Sequence, residues 1–158
     1  MIINIFGSTG TIGSLSLKLI KKFFPKIKIN LLVANKNYKK LIIQSNIYKP
    51  KFIYINDLSK IELIKKSIHK DIKILQKGHV NEYLENSKSN LTILAISGYK
   101  SLNYFESILK NTYNLGLVNK ECVVSAGHLF KILLNESKVK LFPLDSEHFS
   151  LTSYFNKS

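Results

Sequence analysis

Two carboxylates near the end of the chain have the spacing expected of a divalent-cation site. Asp145 and Glu147 are one residue apart and follow a strand-like apolar run at 139–142. Side chains one residue apart on an extended backbone project to the same side, so both can reach one ion. Carboxylate oxygens suit a hard divalent cation. Asp145 could instead cap a helix starting at Ser146, and His148 is either a third ligand or a partly buried neutral histidine.

A glycine-rich turn at the other end of the chain has the composition of a phosphate-binding loop. The stretch GSTGTIG at 7–13 directly follows the apolar run Ile2–Phe6 and precedes a helix that should begin near Thr11. Its glycines would allow a tight turn, close approach of the backbone to a diphosphate and close helix–strand packing. The phosphate would lie on N–H groups at the helix N-terminus. The pattern favours a dinucleotide site, and the alternative is an ordinary strand-to-helix turn.

The residues after the second predicted strand indicate which dinucleotide this loop would accept. A site for NADH usually places an acid there, to bind the ribose 2′-hydroxyl. The stretch LVANKN at 32–37 has no acid and contains a lysine between two amides: Asn35, Lys36, Asn37. A cation with amides suits a 2′-phosphate, which favours NADPH. Alternatively, Lys36 is one more solvated lysine.

A third polar group, Val118-Asn119-Lys120-Glu121, follows another predicted strand. The carboxyl ends of parallel strands form the ligand-binding edge of such a sheet. Asn119 can both donate and accept hydrogen bonds, and Lys120 can hold an anionic or oxygen-rich substrate. Asn119 and Glu121 could instead simply cap the following helix, where a carboxylate favours the helix dipole.

The elements that would position these residues alternate between strand and helix. Short apolar runs predict strands, and runs with helical spacing separate them. The run 91–96 is apolar almost throughout, as expected for a strand buried on both faces of a parallel sheet. Strands separated by helices indicate βαβ units. The sequence therefore predicts an α/β fold, a doubly wound and mostly parallel sheet of Rossmann type. The predicted strands and helices are these: strands 2–6, 27–33, 52–55, 72–75, 91–96, 115–118 and 139–144; helices from about 11 to before 25, then 38–47, 58–68, 80–84, 101–109 and 121–134.

Composition narrows the possible partners and compartment. The net charge of +14 suggests nucleic-acid binding, but all 24 basic residues are lysine and they are scattered along the chain. Arginine is the favoured residue for bidentate phosphate and guanine contacts, so we expect no nucleic-acid partner. The single cysteine, Cys122, rules out an internal disulfide and fits a reducing, cytoplasmic compartment. No apolar run approaches the roughly 20 residues of a membrane span.

Together these motifs resemble one family, 1-deoxy-D-xylulose 5-phosphate reductoisomerase of the non-mevalonate isoprenoid pathway. Five stretches in the family's order carry the resemblance: GSTGTIG at 7–13, LVANKN at 32–37, LAISG at 94–98, LVNKE at 117–121 and LFPLDSEH at 141–148. The resemblance implies an NADPH- and metal-dependent enzyme. It would convert 1-deoxy-D-xylulose 5-phosphate to 2-C-methyl-D-erythritol 4-phosphate, with no membrane partner.

The resemblance also implies a role for each site residue. Residues Thr9, Gly10, Thr11 and Ile12 would hold the cofactor diphosphate, and Asn35, Lys36 and Asn37 would surround the 2′-phosphate. Asn119 and Glu121 would line the nicotinamide side. Lys120, Ser146 and Glu147 would contact the sugar phosphate. Asp145 and Glu147 would bind Mg²⁺ or Mn²⁺, and Lys120 with these two acids would form the catalytic set.

Family members are much longer than this chain, and this shapes the expected domain organisation. Residues 1–144 would form the NADPH-binding domain, and residues 145–158 would begin a truncated catalytic domain. A third metal-binding glutamate, a phosphate-binding set and a substrate-covering loop would lie outside the chain. We therefore expect the chain alone to be inactive, and the full-length enzyme to be a homodimer. The alternative is a non-catalytic fragment that binds NADPH.

Overall fold

The described part of the chain forms one parallel sheet. A computed structural model describes residues 1–118, 127–128 and 131–144. The seven strands lie in the order β4-β3-β2-β1-β5-β6-β7, and each neighbouring pair is parallel. The strands are β1 (Ile2–Phe6), β2 (Lys28–Ala34), β3 (Phe52–Ile55), β4 (Lys73–Ile74), β5 (Leu91–Leu94), β6 (Asn114–Leu117) and β7 (Lys140–Pro143).

Helices connect successive strands, as parallel pairing requires. The α-helices are α1 (Thr11–Phe23), α2 (Tyr38–Tyr48), α3 (Ile61–Ser67), α4 (His79–Glu85) and α5 (Leu102–Asn111). Single 3₁₀ turns, Leu58–Lys60 and Tyr99–Ser101, precede α3 and α5. Residues 127–128 and 131–136 are also helical. Among the described residues, no helix combines the length and the apolar character needed to cross a membrane.

The helices cover both faces of the sheet and create two separate cores. Alternate strand residues point to opposite faces, so Ile3 and Ile5 join one core while Phe6 joins the other. Leu17 of α1 packs in the first core, and Phe105 of α5 packs in the second. This arrangement confirms the predicted α/β doubly wound sheet, and every described strand pair is parallel.

Several predicted elements differ from the observed ones at their ends, and two of these differences change the local structure. The predicted helix 58–68 begins as a 3₁₀ turn because the Asp57 carboxylate accepts hydrogen bonds from Ser59 N (3.3 Å) and Ser59 Oγ (2.7 Å). The predicted strand 91–96 ends at Leu94, and its last hydrogen bond to β1 runs from Ala95 N to Phe6 O, 2.9 Å. Residues 95–98 therefore form a loop at the sheet edge. The predicted helix 121–134 lies partly outside the described residues.

The strand order reverses between β1 and β5, and this reversal indicates where a ligand-binding crevice should lie. Chain connections run outward from β1 through β2 to β4 on one side, and from β5 to β7 on the other. The two loops leaving β1 and β5 therefore turn to opposite faces and open a gap at the carboxyl edge. Open α/β sheets bind ligands at such a gap.

Candidate dinucleotide site

The glycine loop is fastened to β2 by its backbone. Gly7 N and Ser8 N both donate to the carbonyl oxygen of Val33, at 2.8 and 3.0 Å. Gly10 N donates to Gly7 O at 3.0 Å and closes the turn. The loop is therefore anchored beside the carboxyl end of β2, next to Asn35.

Two glycines of the loop leave no space for a side chain. Gly7 has φ +77°, and a Cβ built on it would collide with the carbonyl oxygen of Ala95. A Cβ on Gly13 would collide with the carbonyl oxygen of Gly7. The first glycine thus permits contact between the ends of β1 and β5, and the last lets α1 approach the turn. Glycines in dinucleotide-binding loops serve these same two purposes, a tight turn and close packing of helix against strand.

The N-terminus of α1 presents unpaired donors. Its N-cap, Gly10, has no capping side chain, and the first turn contains no acid. Among the described residues, no acceptor pairs with the backbone N–H groups of residues 11–13. A 13-residue helix directs partial positive charge to these groups. This end of α1 can therefore bind an anionic phosphate, for which its free amides are the natural donors.

A cleft of about 320 Å³ opens where the strand order reverses. It brings together Thr9 and Gly10 of the loop with Asn35 at the end of β2. Loop 95–97 forms the opposite wall. The remaining lining comes from Gly7, Val33, Ala34, Asn56, Lys100, Asn103 and Tyr104. The cleft thus brings Thr9 and Gly10 of the predicted diphosphate set together with Asn35 of the predicted 2′-phosphate set. The other members of the two sets, Thr11, Ile12, Lys36 and Asn37, do not line it.

Asn35, Lys36 and Asn37 lie where the sequence predicts a 2′-phosphate subsite. All three are exposed and connect β2 to α2. Asn37 is the N-cap of α2, and its side-chain oxygen accepts a hydrogen bond from Lys40 N at 3.1 Å. Asn35 O accepts from Asp57 N at 3.0 Å, which fixes the connection against the end of β3. The backbone that carries Lys36 therefore forms a turn fixed by hydrogen bonds on both sides of it.

The structure brings an acid close to this cation. Hydrogen bonds from Ser59, together with the charges of Lys60 and Lys36, hold the pKa of the partly exposed Asp57 carboxyl below its ordinary value. The Ser59 hydroxyl is the largest of these causes. Asp57 is consequently ionised at neutral pH. Sequence reasoning found no acid at the end of β2 and missed this one, because it follows the neighbouring strand β3.

Asn56 and Tyr104 also line the cleft and were not predicted from sequence. Asn56 Nδ2 donates to Asn35 Oδ1 at 3.4 Å, and the Tyr104 hydroxyl donates to Asn56 Oδ1 at 3.4 Å. Burial, and then the nearby Tyr54, raise the pKa of Tyr104, so its phenol keeps its proton. Asn56 directly follows the apolar strand FIYI, and that position could have revealed it. Tyr104 packs against Phe6, with ring centroids 5.1 Å apart, and one aromatic residue inside a predicted helix gave no such signal.

Two buried polar groups behind the loop were also missed. Gln44 of α2 donates from Nε2 to Ser8 O at 2.8 Å and to Ser14 Oγ at 3.4 Å. Ser14 Oγ donates to the same Ser8 oxygen at 3.1 Å. The Ser8 hydroxyl is buried and has no hydrogen-bond partner among the described residues. A polar residue inside a predicted helix gave no reason to expect this contact.

The predicted metal and substrate residues, and the two residues predicted on the nicotinamide side of the cofactor, lie outside the described residues. These residues are Asn119, Lys120, Glu121, Asp145, Ser146, Glu147 and His148. The described backbone leads to them from neighbouring strands at the same edge. Val118 N donates to Leu94 O at 3.1 Å, and Leu144 N donates to Leu117 O at 2.8 Å. Within the described ranges, no three ligating side chains of His, Cys, Asp or Glu come together as a metal site.

The fold and the glycine-loop cleft are those of a Rossmann-type α/β domain. The family model of 1-deoxy-D-xylulose 5-phosphate reductoisomerase matches residues 3–127. The chain therefore belongs to the 1-deoxy-D-xylulose 5-phosphate reductoisomerase family.

Curated relatives agree with this assignment. The reductoisomerase of Pelagibacter ubique (strain HTCC1062) is 36% identical over 160 residues, covering 99% of this chain and 41% of that protein. The Helicobacter pylori (strain Shi470) enzyme is 36% identical over 150 residues, covering 93% of this chain and 37% of its own length. The chain thus spans about two-fifths of the curated relatives that it matches.

Solved structures share the fold. The reductoisomerase from Zymomonas mobilis, solved in complex with NADPH, has a TM-score of 0.83 and 28% identity over 93% of this chain and 39% of its own. A second reductoisomerase, in complex with NADPH, fosmidomycin and magnesium, has a TM-score of 0.83 at 23% identity, covering 94% of this chain and 37% of its own. The Zymomonas mobilis structure supports both the fold and the family assignment. The second structure, at lower identity, supports the fold alone.

Proposed function

We propose that this chain is the NADPH-binding part of a 1-deoxy-D-xylulose 5-phosphate reductoisomerase. The observation that carries the proposal is the single cleft shared by the glycine loop and the end of β2. The loop offers uncapped amides, and the end of β2 offers a lysine between amides. A dinucleotide with a 2′-phosphate matches both. The Zymomonas mobilis structure, which has the same fold, was solved with NADPH.

The residues of this chain would bind and orient the cofactor. Thr9, Gly10, Thr11 and Ile12 would hold the diphosphate through backbone N–H groups and hydroxyls. Asn35, Lys36 and Asn37 would surround the 2′-phosphate, with Lys36 supplying the charge. Asn119 and Glu121 would lie on the nicotinamide side. The glycine loop fits a diphosphate because the N–H groups of residues 11–13 have no acceptor among the described residues. Gly7 and Gly13 also allow close contact between the backbones.

The metal site would be formed by Asp145 and Glu147. Two carboxylates are the donor type that Mg²⁺ or Mn²⁺ prefers. A relative was solved with magnesium. Lys120 and Ser146 would hold the sugar phosphate against the metal ligands, with Glu147 also in contact with it. When bound, NADPH supplies the hydride and the metal ion supplies Lewis acidity for the rearranging carbonyl.

The proposed domain organisation follows from these roles. Residues 1–144 form the NADPH-binding domain, and residues 145–158 begin the catalytic domain. The complete enzyme would be a cytoplasmic homodimer that acts on a small sugar phosphate and has neither nucleic-acid nor membrane partners. The alternative is a non-catalytic fragment that binds NADPH.

Two measurements test the proposal. Titration of the chain with NADPH, followed by nucleotide fluorescence, should show saturable binding that is tighter than for NADH. NADPH oxidation is then measured with 1-deoxy-D-xylulose 5-phosphate and Mn²⁺, with and without the C-terminal portion of a longer relative. NADPH oxidation that requires both substrate and metal supports the proposal that this chain is part of a reductoisomerase. Binding without oxidation in either mixture supports the fragment, and absence of NADPH binding contradicts both.

A further inference from the structure

A buried amide joins α2 to the glycine loop. Gln44 is only 5% exposed, and its Nε2 lies 2.8 Å from the carbonyl oxygen of Ser8, 36 residues earlier in the chain. The same nitrogen lies 3.4 Å from Ser14 Oγ in α1. Gln44 therefore contacts both the turn that precedes α1 and the first part of that helix.

The burial of Gln44 is costly and runs against the polarity of its helix. Its neighbours Ile43 and Ile47 are 58% and 47% exposed, while the polar side chain between them faces inward. The Gln44 amide oxygen is buried without a hydrogen-bond partner among the described residues. A half-satisfied buried amide is less favourable than an apolar side chain of the same shape. Core packing alone therefore does not account for glutamine here, whereas its hydrogen bond to the loop does.

That hydrogen bond fixes the orientation of one peptide group. The Ser8 carbonyl and the Thr9 N–H belong to the same planar trans peptide, so they point in opposite directions. Gln44 Nε2 and Ser14 Oγ hold the Ser8 carbonyl toward the protein interior. The Thr9 N–H consequently points away from the interior, and Thr9 lines the cleft at the end of β1. Rotation of this peptide would replace a donor with a carbonyl oxygen.

We infer that Gln44 is a positioning residue for the phosphate-binding loop, an inference that rests on the proposed function. It holds the Ser8–Thr9 peptide so that Thr9 N–H faces the cofactor diphosphate. The helix that carries Gln44 is N-capped by Asn37, beside Lys36. Asn37 and Gln44 are seven residues apart, which is about 10 Å along the helix. One helix thus supports both phosphate subsites.

Substitution of Gln44 by methionine tests the role, because methionine keeps the shape and removes the donor. Gln44→Met should weaken NADPH and NADH alike by about tenfold in fluorescence titrations, since both carry the diphosphate. The matched control is Ser45→Ala, which removes another buried hydrogen bond of α2, from Ser45 Oγ to Leu41 O at 2.7 Å, without touching the loop. It should change both affinities by less than about twofold. Wild-type affinity in Gln44→Met, or a loss confined to NADPH, would overturn the inference.

A second variant separates positioning from folding. In Gln44→Glu, a protonated carboxyl can donate to Ser8 O, whereas an ionised carboxylate repels it. The affinity for NADP⁺, relative to wild type at each pH, should fall as the pH rises between about 5 and 9, the range where a buried carboxyl titrates. The same ratio for Gln44→Met should not depend on pH. Parallel pH profiles of the two variants would argue against the donor role.

Hydrogen–deuterium exchange distinguishes failure of this inference from failure of the proposed function. Without cofactor, amides of residues 8–14 should exchange faster in Gln44→Met than in wild type or Ser45→Ala. If wild-type protein does not bind NADPH, the proposed function fails, and the exchange rates still decide whether Gln44 orders the loop. Unchanged exchange in this segment would refute that role. Thermal unfolding of all variants confirms that each comparison is made on folded protein.

Discussion

Gly7 and Ala95 are in backbone contact where β1 and β5 end. A Cβ on Gly7 would collide with the Ala95 carbonyl oxygen. Ala95 N in turn donates to Phe6 O at 2.9 Å, the residue before Gly7. The cleft at the reversal of strand order begins at this contact, and both residues line it.

We expect Gly7→Ala to destabilise the protein and to remove nucleotide binding. The substitution combines a positive φ of 77° with a clash against backbone, which a rotamer change cannot relieve. The free energy of unfolding should fall by about 3 kcal/mol, the sum of backbone strain and overpacking. Urea denaturation measures this change. The matched control is Gly78→Ala, whose φ is +86° but whose Cβ would meet nothing within 4 Å, and it should cost about 1 kcal/mol. Equal losses in the two variants would show that the Ala95 contact is unimportant.

Charge reversal at Lys36 tests the proposed 2′-phosphate subsite. Lys36→Glu should weaken NADPH by at least about tenfold and NADH much less, because only NADPH carries the 2′-phosphate. Parallel fluorescence titrations with the two nucleotides measure the difference, at low ionic strength to limit screening. Lys66→Glu makes the same charge change at an exposed position in the last turn of α3 and should leave the preference intact. Equal weakening of both nucleotides by Lys36→Glu would refute the assignment.

The sheet and its cofactor edge could be predicted from sequence because their signals are local. The apolar runs at 2–6 and 52–55 match β1 and β3 residue for residue. Gly7–Gly13 could be placed at the start of α1 because glycines at this spacing, directly after an apolar strand, are typical of a strand-to-helix turn that binds phosphate. The predicted membership of the reductoisomerase family is confirmed by the family match over residues 3–127. The individual roles of the site residues stay predictions.

Contacts between distant segments could not be predicted from the same signals. Gln44 is buried in a helix in which the apolar residues Ile43 and Ile47 are exposed, so the apolar pattern of this helix does not identify its buried face. Asp57 approaches Lys36 only because β2 and β3 are paired side by side. Such contacts depend on strand order and helix packing, which a pattern along one chain does not contain.

The ionisation of Asp57 gives a prediction about pH. Because the Ser59 hydrogen bond favours the charged form in the folded protein, it lowers the pKa of Asp57. Its contribution to stability is therefore present above the ordinary aspartate pKa and is lost as the pH falls through the lowered value. Ser59→Ala should move the pKa of Asp57 upward, as measured by NMR titration of the carboxyl carbon. Ser67→Ala removes a similar exposed hydroxyl, bonded to Leu63 O, and should leave this pKa unchanged. An unmoved pKa in Ser59→Ala would assign the shift to the backbone N–H of residue 59 and the lysines instead.

The carboxylate pair provides the test of the metal site. Asp145 and Glu147 lie outside the described residues, and their proposed role rests on donor chemistry and on the family resemblance. Asp145→Asn and Glu147→Gln should each weaken Mn²⁺ binding by at least about tenfold, because each removes one of two anionic ligands. Electron paramagnetic resonance of free Mn²⁺ measures this on the chain itself. NADPH affinity should stay near wild type in both variants, since the proposed phosphate subsites are on the glycine loop and on the connection between β2 and α2. Glu136→Gln removes an exposed acid from the last described helical segment and should affect neither ligand. Unchanged Mn²⁺ binding in both site variants would exclude the pair as the metal ligands.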